Sequence, residues 1–206
     1  SSVKRMLARG DMPLSRIDAI CRVLRLDFAD FVRVLKLVSV LSFRYTVVSG
    51  LNTNALEPVY HQAANALLTG QIHRPSEVFQ RLQGIYVEDS SFISDFARLD
   101  IATAGQHKRL VKYVLCRLEA DATGVHRDYE TDAGTIEHIL PENPLGDWSE
   151  SFDAQRQERF VYRLGNLTLL EASLNRQVGN QEWTDKVAVY AQSQYGLTQV
   201  LASSGY

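Results

Sequence analysis

Between residues 31 and 45, apolar side chains recur at a spacing that leaves the backbone little choice. Phe31, Val34, Leu35, Val38, Leu41 and Tyr45 form one stripe of an α-helix, and Val32, Leu37 and Val40 widen it. A helix apolar nearly all round belongs at the centre of a core, so its neighbours must supply the faces that cover it. They have the right pattern. Residues 14–26 place Ile20, Cys21 and Leu24 at helical spacing, and Asp27 or Asp30 can open the central helix. Asn52 or Asn54 can cap a helix carrying Leu56, Val59, Tyr60, Ala63 and Leu67, and Pro75 suits the first turn of a short one with Val78, Phe79 and Leu82. A segment from Asp89 or Ser90 and a helix over 105–120 follow. The latter turns Leu110, Val111, Val114, Leu115 and Leu118 inward and Lys108, Arg109, Lys112 and Arg117 outward. The expectation is a helical bundle over residues 1–125.

Composition excludes several classes. The chain has 206 residues, 45% of them apolar, as expected of a globular protein. Cys21 and Cys116 are the only cysteines and stand in apolar helical contexts. That is neither a disulfide framework nor a zinc knuckle, and it suits two buried thiols in a reducing, cytoplasmic setting. No apolar run approaches a membrane span. The net charge of −2 is divided unevenly: residues 1–125 balance at +4 and residues 126–206 at −6. A basic body joined to an acidic segment suits DNA held by the first and a metal by the second; uneven surface charge explains it equally well.

The pattern changes after residue 120. A polar loop with Asp121, Gly124, Asp128, Asp132 and Gly134 leads to the run Thr135-Ile136-Glu137-His138-Ile139-Leu140, a strand that Pro141 stops. A short helix over 155–162 and a second strand over Leu164–Leu170 are expected next, then a polar turn over 175–180. A helix with Trp183, Val187 and Tyr190 on one face follows, and a last one carries Leu197, Val200 and Leu201. Strand, connection, strand, turn and helix is the order of a ββα unit, here residues 126–206. Its acid beside a histidine, with Asn166 and Asn175 near turn signals, supplies a carboxylate, an imidazole and carboxamides. Those groups suit a hard cation and the activation of water against a phosphodiester. Alone, each has a plainer reading: Asn166 a turn residue, Asn175 a helix cap, Glu137 a surface acid on a half-buried strand.

Taken in order, Ile136-Glu137-His138-Ile139-Leu140-Pro141, Leu164-Gly165-Asn166-Leu167-Thr168-Leu169-Leu170, Leu174-Asn175, and Trp183 ahead of Asp185-Lys186 resemble one family. It is the C-terminal HNH domain of GmrSD-type modification-dependent restriction endonucleases and related phage-defence proteins. The helix His107–Glu119 also resembles the one preceding the motif there, and the likeness covers roughly residues 30–201.

The resemblance implies a mainly α protein in which the bundle is followed by a ββα-metal (His-Me finger) unit. It implies an endonuclease that nicks or cleaves DNA with Mg²⁺ or Mn²⁺. His138 would be the general base, Glu137 and Asn175 would hold the metal, and Asn166 would pin the inter-strand loop so that the imidazole is aimed. Asn180 and Lys186 would shape the site or touch phosphate. Without the four cysteines of some HNH proteins, the finger would rest on packing, with Trp148, Phe160 and Trp183 as contacts. The resemblance also implies an N-terminal nucleotide-hydrolysing sensor domain in the full-length protein and modified, double-stranded DNA as target. Glu137 stands where many such sites have Asp. Neighbours on a regular strand face opposite ways, so Glu137 and His138 converge on one phosphate only where the strand ends or distorts. The alternative is a catalytically weak module of the same fold that binds DNA or a partner.

Overall fold

A computed structural model describes residues 14–144 and 146–203 of the chain. Residues 1–13 and 204–206, included in the expected domain ranges, lie outside the described residues. The chain divides after Phe96 into two compact units. Among the described residues it is mainly helical, with one two-stranded sheet.

The first unit holds α1 (Leu14–Leu24), α2 (Phe28–Ser42), α3 (Leu56–Leu68), α4 (Pro75–Leu82) and α5 (Asp89–Phe96). Asp27 caps α2, its carboxylate accepting from the Asp30 N–H at 2.7 Å. Beyond Ser42 the chain continues as a π-helix over Phe43–Val48, so the expected single long helix changes its winding before Ser49. Phe31, Val34 and Leu41 of α2 meet Ala63, Ala66 and Leu67 of α3 and Val78 and Leu82 of α4 in one core. Val40 is 53% exposed, so α2 is not covered all round.

The second unit holds α6 (His107–Thr123), β1 (Gly134–His138), α7 (Asp147–Ser151), α8 (Ala154–Phe160), β2 (Leu167–Glu171), α9 (Ala172–Val178), α10 (Trp183–Tyr190) and α11 (Gly196–Ser203). The strands are antiparallel, with Ile136 opposite Leu169 and His138 opposite Leu167. Leu167 to Leu170 are all buried, Thr168 among them, so β2 is covered on both faces. Helices α6, α9 and α11 pack on it. Cys21 and Cys116 are free thiols, both buried, and burial pushes Cys116 up to about 11.

Three boundaries differ from the sequence expectation. Strand β1 ends at His138, not Leu140, and β2 starts at Leu167, not Leu164, because the Asn166 side chain takes the main-chain groups that a longer ladder would pair. The polar turn expected over 175–180 is instead the end of α9, whose apolar Leu174 and Val178 join the core and which Gly179 terminates at φ +43°. Lys112 does not point outward either. Its ammonium donates to the Asp132 carbonyl, so it is committed to holding the loop ahead of β1.

Glu119 of α6 is 2% exposed, and no pattern in the sequence marks it as buried. Its carboxylate accepts from the Gly196 N–H at 2.6 Å and the Leu197 N–H at 3.0 Å, so it caps α11 from another helix. Both tryptophans, Trp148 and Trp183, lie in the second unit, so tryptophan fluorescence follows this unit alone. Replacing Glu119 with Ala should lower its stability by about 1–3 kcal/mol in urea denaturation followed by that signal, because two donors lose their partner.

Candidate functional site

The end of β1 is set by one side chain. Ile139 N–H donates to the Asn166 carbonyl at 2.9 Å. The Asn166 Oδ1 accepts from the Leu140 N–H at 2.7 Å, and its Nδ2 donates to the Leu140 carbonyl at 3.0 Å and the Val161 carbonyl at 2.9 Å. Three polar main-chain groups of an irregular segment are thereby satisfied, which a buried loop requires. The chain leaves the ladder immediately after His138.

Alternation along β1 then sends Glu137 and His138 different ways. Glu137 is 4% exposed, and its Oε1 accepts from Lys186 Nζ at 2.7 Å and from the Tyr190 hydroxyl at 2.8 Å. Lys186 and Tyr190 stand four residues apart on α10, one turn of the same face, and both are 0% exposed. Lys186 Nζ also donates to the His138 main-chain carbonyl at 2.7 Å. Burial pushes the Glu137 carboxyl above its ordinary range and the Lys186 ammonium below its own, and each charge offsets part of the other's shift. Burial, with Glu137 beside it, also raises the Tyr190 hydroxyl. Lys186 is therefore enclosed and does not reach phosphate.

The His138 side chain keeps 15% of its surface exposed. Its Nε2 lies 3.4 Å from Thr103 Oγ1 and 3.8 Å from Glu142 Oε1, and Tyr162 packs edge-on with ring centroids 5.8 Å apart. The Tyr162 hydroxyl donates to Glu142 Oε1 at 3.0 Å. The Thr103 loop is kept near by a small antiparallel contact: Leu164 N–H donates to the Leu99 carbonyl at 2.8 Å and Ile101 N–H to the Tyr162 carbonyl at 3.0 Å. Arg163 Nε adds an ion pair to Asp100 at 3.1 Å. Burial holds the His138 ring below its ordinary value; Glu142 opposes that shift and Lys186 adds to it. The ring is therefore neutral at neutral pH and able to accept a proton.

Asn175, on α9, donates through Nδ2 to Thr135 Oγ1 at 2.9 Å and to the Ile136 carbonyl at 3.1 Å. Both N–H groups are used, and no hydrogen bond among the described residues engages Oδ1. His138, Glu137 and Asn175 line one polar cavity of about 300 Å³ with Thr103, Lys108, Glu142, Asn143 and Asn180. Asn166 does not line it. It borders an apolar cavity of about 490 Å³ with Trp148, Phe160 and Trp183. Trp148 is buried, its Nε1 donating to the Gln181 carbonyl at 2.8 Å.

Residues 86–205 match the model of a family described as GmrSD restriction endonucleases, C-terminal domain. The chain belongs to that family. A comparison with curated proteins found no match. As a GmrSD C-terminal domain it is a restriction-endonuclease-type nuclease, a hydrolase whose substrate is DNA. No helix among the described residues is long and apolar enough to cross a membrane.

Nuclease domains of this type generally use divalent metals, and the cavity suits one in kind. Asn175 Oδ1 and the Glu137 carboxylate, both on the cavity, are hard oxygen donors. No group of three or more His, Cys, Asp or Glu among the described residues is placed to hold a metal. The geometry also brings in residues that sequence reasoning passed over. Glu142, one position beyond Pro141, was within reach of the motif. Thr103 arrives from a loop 35 positions away and carries no local signal.

Two outcomes follow from this geometry. In metal-free protein, an NMR titration of the His138 ring should give a midpoint below the ordinary 6.5. A histidine with a depressed folded-state pKa contributes stability that is complete above the unfolded value and is lost as pH falls through the folded one. Asn166→Ala should destabilise the second unit by at least about 2 kcal/mol, read from tryptophan fluorescence in urea, because it strands the Leu140 and Val161 main-chain groups.

Proposed function

We propose that this GmrSD C-terminal domain is a metal-dependent DNA endonuclease of the HNH class, acting in defence against phage or foreign modified DNA. The observation that carries the reading is the shared polar cavity of about 300 Å³, in which a half-buried, neutral imidazole meets a carboxamide oxygen that no hydrogen bond among the described residues engages. The two strands and α9 form its ββα-metal unit. His138 accepts the proton of the attacking water at Nε2, the nitrogen that faces Thr103 and Glu142. Glu142, at 3.8 Å, then stabilises the imidazolium that results. Asn166 keeps β1 ending where His138 enters the cavity. Asn175, through Oδ1, and Glu137, through the carboxylate oxygen that Lys186 and Tyr190 leave, would hold the cation. A Mg²⁺ or Mn²⁺ ion held there would supply charge neutralisation for the pentavalent phosphorus and the leaving oxygen. Lys108, at the cavity rim, steers the DNA phosphate. Selection of modified DNA belongs to an N-terminal nucleotide-hydrolysing domain of the full-length protein, and the site of action is the cytoplasm.

One observation favours a second reading, a catalytically weak module that binds DNA or a partner. Oε1 of Glu137 is already held by two donors, so the cavity has few free carboxylate oxygens. Plasmid relaxation with Mg²⁺, Mn²⁺ or EDTA separates the two. The wild-type chain should nick in either metal and not in EDTA. His138→Ala should slow nicking by about 10²–10⁴-fold while leaving DNA retention in a gel shift unchanged. Nicking by His138→Ala at the wild-type rate would contradict the nuclease assignment, and metal-independent retention without nicking by the wild type would favour the binding module.

A further inference from the structure

Lys186 is fully buried and spans two groups that the nuclease reading treats separately: the Glu137 carboxylate and the backbone of the histidine next to it. We propose that Lys186 is a positioning residue for His138, its ammonium reaching from α10 to clamp the last main-chain carbonyl of β1 to the Glu137 carboxylate of the same strand. The proposal rests on the nuclease reading for its catalytic meaning, though not for its geometry.

The contacts are specific. Nζ donates at 2.7 Å to Glu137 Oε1 and at 2.7 Å to the His138 carbonyl. An ammonium has three donors and no acceptor, so it can join a carboxylate to a carbonyl, and no neutral side chain of that length can replace both bonds. A buried ion pair is a poor source of net stability, because desolvating both charges offsets most of their attraction. A well-packed apolar pair would hold α10 to β1 as well. What the charged pair adds is direction: it fixes one carbonyl at the position where the strand stops. The carbonyl belongs to His138, whose peptide planes set where Cα and the ring lie. Tyr190 completes the support from one turn further along α10, donating to the same Oε1 at 2.8 Å, with no hydrogen bond to His138 among the described residues. The two α10 residues thus have separable roles: Tyr190 steadies the carboxylate, whereas Lys186 connects the carboxylate to the histidine. Asn166 grips the next residues, Ile139 and Leu140, from the turn just ahead of β2, so His138 lies between two clasps.

The test uses Lys186→Met, Tyr190→Phe and the double variant Lys186→Met/Glu137→Gln, which removes the charge left behind if Lys186→Met fails to fold. Amide hydrogen exchange and single-turnover plasmid nicking are measured on each. Exchange does not require activity, and single-turnover amplitude reports the fraction of competent protein separately from the rate constant. Loss of the clasp should speed exchange at Ile139 and Leu140 by about tenfold or more, leaving the paired amides of β1 and β2 further from the strand end protected. The nicking rate constant of Lys186→Met should fall by about 10²-fold at unchanged amplitude and half-saturating DNA concentration, as expected for a small displacement of a catalytic group. Tyr190→Phe should stay within about threefold of wild type, since its clasp on His138 is intact. A uniform rise in exchange across the unit, with lower amplitude and an unchanged rate constant, would show a merely structural lysine and overturn the proposal. So would unchanged exchange at Ile139 and Leu140 in both Lys186 variants. Wild-type protein that does not nick, with the local exchange effect present, would overturn the nuclease reading and leave the clasp standing.

Discussion

Everything in the second unit depends on β1 stopping at His138. A ladder one or two residues longer would put Ile139 and Leu140 opposite β2 and leave the histidine ring inside a regular sheet face. The Asn166 carboxamide prevents that by taking both main-chain groups of Leu140 and one of Val161. Satisfying three groups with one side chain lets the backbone turn away without leaving buried donors and acceptors unpaired. The turn in turn places Glu142 within 3.8 Å of Nε2 and opens the polar cavity that Asn175 reaches from α9.

The alternation of side chains along a strand, often an obstacle to building a site, is used here as a division of labour. Both residues border the cavity, but Glu137 is buried and held by Lys186 and Tyr190, whereas His138 keeps part of its ring exposed. The sequence places the two residues next to each other and suggests a shared task. The structure gives their side chains different partners and joins the two residues through the ammonium of Lys186. The family match covers the whole of this arrangement, residues 86–205.

Much of this was legible in the chain. The helical stripe from Phe31 to Leu41, the capping by Asp27, the two strands and the helices over 154–160, 183–190 and 196–203 follow from local periodicity and local hydrogen bonding, which a sequence displays. What was not legible is non-local. Nothing in residues 107–123 announces that Glu119 is buried to cap a helix 77 positions later, or that Lys112 serves the Asp132 carbonyl. Thr103 reaches His138 only because residues 99–101 run beside 162–164. The turn expected over 175–180 is helical because Leu174 and Val178 find a core, a gain that depends on where α10 and β2 lie. Propensity alone has no access to such packing.

In the proposed mechanism one cavity, bounded by the end of β1, the Thr103 loop and the end of α9, would hold the divalent cation that acts with His138. The most direct measurement is oxidative mapping, with Fe²⁺ in place of Mg²⁺, ascorbate added, and cleavage of the polypeptide read by mass spectrometry. The account predicts cuts clustered in residues 136–143 and 175–180, suppressed by excess Mg²⁺ and lost in Asn175→Ala. Cuts elsewhere in the chain, with these two segments intact, would contradict it.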